Sequence, residues 1–152
     1  MKLKGITRKK GTYAAVKVLQ PSIDKLYEHC KVSNIPVVKS QFCDGLHTTL
    51  IYSRKYCPNM FAEPGKVHSA TFKDYELFDG GKVLVALLNA PSIVARHIQL
   101  MAKHGASYDF PVFNPHITLN NDFKGDMNSL SIIDFPIFLG KEYVEDLELD
   151  WE

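Results

Sequence analysis

One pattern occurs twice in this chain, and it constrains the fold more than any other feature. A β-branched and aromatic run over residues 13–19 leads into Pro21-Ser22-Ile23. An apolar face at Ile23, Leu26, Tyr27 and Cys30 follows, then a loop, then a run over residues 46–52 that carries His47-Thr48-Thr49. The second half repeats this order: a run over residues 82–88, Pro91-Ser92-Ile93, an apolar face at Ile93, Val94, His97, Ile98 and Met101, a stop at Gly105, and a run over residues 114–119 that carries His116-Ile117-Thr118. Pro21 stands 26 residues before His47, and Pro91 stands 25 before His116. Apolar residues at i, i+3, i+4 and i+7 make one helical face, and proline is tolerated in a first helical turn. Each copy therefore reads as strand, helix, loop, strand.

A chain of 152 residues holding two such units is expected to be an α+β protein in one bilobal domain spanning residues 1–152. The lobes fall at about 12–65 and 82–134. Further strands are predicted at 66–77, 135–139 and 142–149, with Asp79-Gly80-Gly81 closing a hairpin. Residues 120–131 are polar and read as a loop.

Composition narrows the function. The longest apolar run, Val83-Leu84-Val85-Ala86-Leu87-Leu88, has strand length and cannot cross a membrane. The basic start (Lys2, Lys4, Arg8, Lys9, Lys10) has no apolar segment after it, so a secretory signal is not expected and the cytoplasm is. Eighteen Lys+Arg against 17 Asp+Glu argue against a protein that coats long nucleic acid. Cys30, Cys43 and Cys57 form no close pair, which fits a reducing compartment. The basic start and the acidic end (Glu142, Glu145, Asp146, Glu148, Asp150, Glu152) either pair as neighbouring strands or leave the basic arm to attract an anion.

The repeated His-x-Thr strands carry the chemistry. Side chains alternate along a strand, so His47 and Thr49 share one face while Thr48 and Leu50 take the other; His116 and Thr118 share a face while Ile117 and Leu119 turn inward. Imidazole and hydroxyl then sit roughly 7 Å apart along each backbone. If the two faces meet across a cleft, a neutral histidine can take a proton from an attacking hydroxyl and a protonated one can give a proton to a leaving alkoxide. Threonine hydroxyls can donate to phosphate oxygens where charge builds. That set suits phosphodiester cleavage without a metal or cofactor. A metal held by His47, His116 and Asp44, or a Cys43 nucleophile, are the chemical alternatives; no cysteine pair or Gly-rich phosphate loop supports them. His29, His68, His97 and His104 are expected to be structural or surface residues.

Gly45-Leu46-His47-Thr48-Thr49-Leu50 and Asn114-Pro115-His116-Ile117-Thr118-Leu119 resemble the paired motifs of the two-histidine (2H) phosphoesterases. The resemblance covers residues 13–119. It implies a duplicated α+β fold with two antiparallel sheets flanking a central cleft and helices outside. Size and motif spacing look closest to the bacteriophage anti-CBASS cyclic-oligonucleotide phosphodiesterases. That likeness implies cyclic di- and trinucleotides as ligands, no membrane or obligate protein partner, and action in the cytoplasm of an infected bacterium. It also implies metal-independent attack of a ribose 2′-hydroxyl on the adjacent 3′–5′ bond, with His47, Thr49, His116 and Thr118 catalytic. Enzymes of the family that act on RNA ends or 2′,3′-cyclic phosphates, and a non-catalytic nucleotide sponge, are the alternatives. For ligand contacts, Tyr13, Tyr108, Glu145 and Trp151 are the candidates, because bases stack on aromatics and a carboxylate can accept from a base amino group.

Overall fold

The structure, a computed structural model, describes residues 9–149, the side chains of Gln41, Cys43 and Asp44 excepted. Trp151 and the basic residues Lys2, Lys4 and Arg8 therefore lie outside the described residues. The elements in order are β1 (Lys10–Val18), α1 (Gln20–Val32), α2 (Lys39–Gly45), β2 (His47–Ser53), β3 (His68–Phe78), β4 (Val83–Asn89), α3 (Pro91–His104), β5 (His116–Asn120) and β6 (Ile137–Glu148), with a short 3-10 turn at Met127–Ser129. Among the described residues no helix is long and apolar enough to cross a membrane.

Local chemistry accounts for most boundaries. Both long helices carry the proline of a Pro-Ser-Ile copy in their first turn. On α1, Ile23, Leu26 and Cys30 are buried; on α3, Ile93, His97 and Leu100 are. Gly105 ends α3 in a left-handed conformation at φ 59°, with its N–H donating to Met101 O. Asp79, Gly80 and Gly81 all take positive φ in the turn between β3 and β4. Gly11 is required for a different reason: any Cβ there would run into the Ser53 carbonyl of the neighbouring strand.

Three expectations need correction. The loop before His47 contains a helix, α2, which a seven-residue stretch without a clear apolar stripe does not advertise. The strands expected at 135–139 and 142–149 are one strand, because Gly140-Lys141 forms an irregularity in the β1–β6 register, with Lys141 at φ 58°, and not a turn. The six strands also run in one antiparallel sheet, ordered β2-β1-β6-β3-β4-β5, where two sheets were expected. The join is narrow: β3 and β6 share only the pairs His68–Leu139, Ser69–Phe138 and Ala70–Ile137.

The order explains how the repeat is used. The last strand of each unit leaves it: β3 follows β2 in sequence but pairs with β4, and β6 follows β5 but pairs with β1. Side chains of the repeated Pro-Ser-Ile segments tie the exchange. Ser22 Oγ accepts from the Phe138 N–H of β6 at 2.8 Å, and Ser92 Oγ lies 2.7 Å from His68 Nδ1 of β3. The sheet curls until its two edge strands, β2 and β5, lie against each other. The His116 N–H donates to Thr48 Oγ1 at 3.2 Å, and His97 on α3 donates from Nδ1 to Leu50 O of β2 at 2.6 Å. The basic start of β1 also meets the acidic end of β6, through Lys10 and Asp146 at 3.6 Å.

One buried ion pair crosses these layers. Arg96 of α3 grips Glu142 of β6 through Nε at 2.9 Å and Nη2 at 2.7 Å, and Glu142 also accepts from the Glu63 N–H at 2.8 Å. The two side chains are 10% and 2% exposed, and the pairing raises the Arg96 pKa. Removing one partner leaves the other charged and desolvated. Glu142→Ala is therefore expected to cost about 3–5 kcal/mol of stability, read from the shift in urea midpoint.

Burial lowers the pKa of His29, His68 and His97. The unfolded chain thus binds protons that the folded one resists. Stability is expected to fall as pH drops below about 6.5 and to be flat above it on account of these groups. Urea titrations at pH 7.5 and 5.5 check the sign; a higher midpoint at the lower pH contradicts it.

Candidate functional site

Alternation along the two edge strands places the motif side chains as the sequence implies. Thr48, Leu50, Ile117 and Leu119 are buried, while His47, Thr49, His116 and Thr118 are half-exposed. Thr48 is consumed structurally by the bond to His116 N, which holds the second motif to the first.

The two histidines are fixed in the same way. His47 Nδ1 lies 2.6 Å from Gly45 O, and His116 Nδ1 lies 2.9 Å from Asn114 O. A carbonyl only accepts, so each Nδ1 carries a proton and donates. The neutral ring then keeps its lone pair on Nε2. Each imidazole is oriented by the carbonyl two residues before it, and each leaves Nε2 free of protein partners among the described residues.

Residues of both motifs line one cavity of about 650 Å³: His47 from β2 and Thr118 from β5, with Phe42, Leu46, Asn120 and Asp122. α2, the helix the sequence reading missed, supplies part of that wall. A second cavity, of about 450 Å³, adjoins His116. Among the described residues no group of three or more His, Cys, Asp or Glu is placed to hold a metal ion.

The candidate ligand residues divide. Tyr13 joins the first motif: its hydroxyl lies 2.9 Å from Thr49 Oγ1, and its ring is edge-on to His47 at 6.4 Å. Burial pushes the Tyr13 phenol up to about 12, so it keeps its proton near neutral pH. Donating that proton to Thr49 Oγ1 leaves the threonine O–H free to donate elsewhere. Glu145 is exposed and pairs with Tyr13 in the β1–β6 register, and its charge adds to the rise in the Tyr13 and Tyr143 pKa values. Tyr108 belongs to the other side. It packs edge-on against His97 at 5.0 Å and Phe113 at 5.8 Å, and it lines the cavity beside His116. His97 itself is stacked on Phe113 at 3.9 Å and is structural.

Three residues near the motifs were not singled out from sequence. Lys17 is opposite His47 in the β1–β2 register, with its Nζ 5.7 Å from the Tyr143 ring centroid. Its signal was visible: it is the exposed charge on an otherwise buried stretch of β1. Tyr143 meets Tyr13 at 6.2 Å, and Phe78 meets the His116 ring at 5.0 Å. Neither could be found without the long-range register, because both lie on exchanged strands.

A family profile described as "Anti-CBASS protein Acb1" matches residues 10–152. Curated relatives with that same description are similar over nearly their whole length. One from Acinetobacter phage Ac42 is 34% identical over 157 aligned residues, spanning 100% of this chain and 99% of the relative. One from Vibrio phage KVP40 is 30% identical, with 99% and 97% covered. One from Enterobacteria phage T4 is 30% identical, with 93% and 91% covered.

The shared Nδ1 anchoring has a direct spectroscopic consequence. Long-range ¹H–¹⁵N spectra of the neutral rings are expected to show the Nδ1–H tautomer for both His47 and His116. An Nε2–H tautomer at either residue contradicts the geometry.

Proposed function

The chain belongs to the Acb1 family of anti-CBASS proteins, and from that premise we propose that it blocks CBASS immunity by cleaving cyclic di- and trinucleotide messengers. The single observation that carries this reading is the paired anchoring of His47 and His116, each with Nδ1 held and Nε2 free, on edge strands that lie together. We read the fold correspondingly as a duplicated, bilobal two-histidine phosphoesterase in which each unit lends its last strand to the other. The site of action is the cytoplasm of an infected bacterium, where the messengers are made.

One histidine, neutral, accepts the proton of a ribose 2′-hydroxyl at Nε2. The 2′-oxygen attacks the adjacent phosphorus, an O2′–P bond forms, and the P–O5′ bond breaks. The other histidine, protonated, delivers its Nε2 proton to the departing O5′. The products are an opened chain with a 2′,3′-cyclic phosphate and a 5′-hydroxyl. Water can then open that cyclic phosphate with the two roles exchanged.

Thr49 and Thr118 donate to the non-bridging oxygens as charge accumulates. Tyr13, whose hydroxyl lies 2.9 Å from Thr49 Oγ1, can support this by donating to it, which leaves the threonine proton for the phosphate. Lys17, beside His47, supplies a cation for a neighbouring phosphate. Every group in the scheme is a side chain of this one chain, so it requires neither a cofactor nor a protein partner.

A panel of 3′–5′ cyclic di- and trinucleotides incubated with the protein in EDTA, followed by chromatography, tests the reading. Ring opening is expected in EDTA. His47→Ala and His116→Ala are each expected to lower the rate by about 100- to 10,000-fold with the urea midpoint little changed, and the double variant to be no slower than the worse single one. Full activity in either single variant refutes the site. Activity confined to RNA ends, or tight binding without turnover, moves the function to a different phosphoesterase or to a sponge.

A further inference from the structure

His116 lines a cavity of about 450 Å³ to which His47 does not contribute. Its walls are aromatic. Phe78 comes from the end of β3, and Tyr108 and Phe110 stand edge-on to each other at 5.8 Å in the loop before β5. Phe110 is 68% exposed, and with Pro111 and Val112 it leaves an apolar lip open to solvent. Among its polar lining residues, Glu76 and Asn114 spend no side-chain polar atom on another described residue.

That loop is held in place before any ligand arrives. The Ser107 N–H donates to Ser53 Oγ at 3.0 Å, and Ser107 Oγ accepts from the Arg54 N–H at 2.8 Å. Arg54 meets Asp109 through two bonds of 3.0 Å each. A preformed aromatic slot does not have to be ordered on binding.

The two sides of the motif pair differ in charge. Strand register makes Lys17 the counterpart of Leu87, since each stands opposite its motif histidine. The side near His47 therefore has a cation and phenols, as a phosphate requires. The cavity beside His116 has no lysine or arginine in its lining and carries the carboxylates of Glu76 and Asp79. A phosphate is repelled there, whereas a hydrogen-bond donor on a flat ring is not.

We propose that this cavity is a nucleobase subsite for a purine bearing an exocyclic amino group, its ring lodged against Phe78 and Phe110 and its amino group donating to Glu76 and Asn114. The inference deepens the phosphodiesterase reading and rests on it for the identity of the substrate. It makes the site select by base on the His116 side and by phosphate on the His47 side.

The test compares cyclic di-AMP with cyclic di-IMP, in which hypoxanthine replaces adenine and a carbonyl replaces the amino group. Both binding, by titration calorimetry, and turnover are measured. Wild type is expected to prefer cyclic di-AMP by roughly tenfold, because the carbonyl is set against the Glu76 carboxylate, which accepts and cannot donate. Glu76→Gln is expected to narrow that preference to roughly threefold or less, since an amide can also donate to the carbonyl. Phe110→Ala is expected to weaken both ligands by roughly tenfold, in KM more than in kcat. A preference unchanged in Glu76→Gln, or ligand affinity unchanged in Phe110→Ala, overturns the subsite. Discriminating binding without any turnover leaves the subsite standing and sinks the phosphodiesterase reading. Absence of both binding and turnover with either ligand overturns both.

Discussion

The structure depends on a sheet whose two edges meet. In an open six-stranded sheet, strands at opposite ends lie far apart, at nearly 5 Å per strand. Here β2 and β5 are the first and last strands of the order, yet they lie against each other, joined by the bond from His116 N to Thr48 Oγ1. Without that closure His47 and His116 would be on separate edges of the sheet. Thr48 is thus spent on assembly, while its neighbours His47 and Thr49 stay half-exposed on the other face.

Strand exchange is what permits the closure. Each repeat supplies two strands to one half of the sheet and a third to the other, so neither half is complete alone. The short β3–β6 junction, three residue pairs wide, lets the halves turn relative to each other. The burden of holding that angle falls on side chains: Ser22 on β6, Ser92 on His68, His97 on Leu50 O, and the buried Arg96–Glu142 pair. The first three place a helix of one repeat on a strand of the other, and Arg96–Glu142 ties α3 to the exchanged strand of its own repeat. The burial of His68 and His97 as lowered-pKa rings follows from this structural work.

The site combines symmetry in its anchors with asymmetry in its surroundings. Both imidazoles are oriented by a carbonyl two residues upstream, which follows from the shared strand entry in each repeat. Around them the copies have diverged, with Tyr13, Tyr143 and Lys17 on one side and Phe78, Phe110 and Glu76 on the other.

The sequence alone determined the repeat, the helix starts at Pro21 and Pro91, the stop at Gly105, and the facing of each His-x-Thr strand. All of these depend on residues within one or two turns or on the two-residue period of a strand, and such local rules hold before any tertiary contact forms. It also placed His97 among the structural histidines, since its apolar neighbours share its helical face. What it could not determine was pairing at long range. The merging of two expected strands into β6, the exchange of β3 and β6, the single curled sheet and the positions of Lys17, Tyr143 and Phe78 all depend on register between segments up to about 140 residues apart. α2 was hidden because seven residues carry too little periodicity to distinguish a helix from a loop. The tertiary structure alone decided that two motifs far apart in sequence stand at one cavity, because only the curl of the sheet and the bond at Thr48 bring the edge strands together.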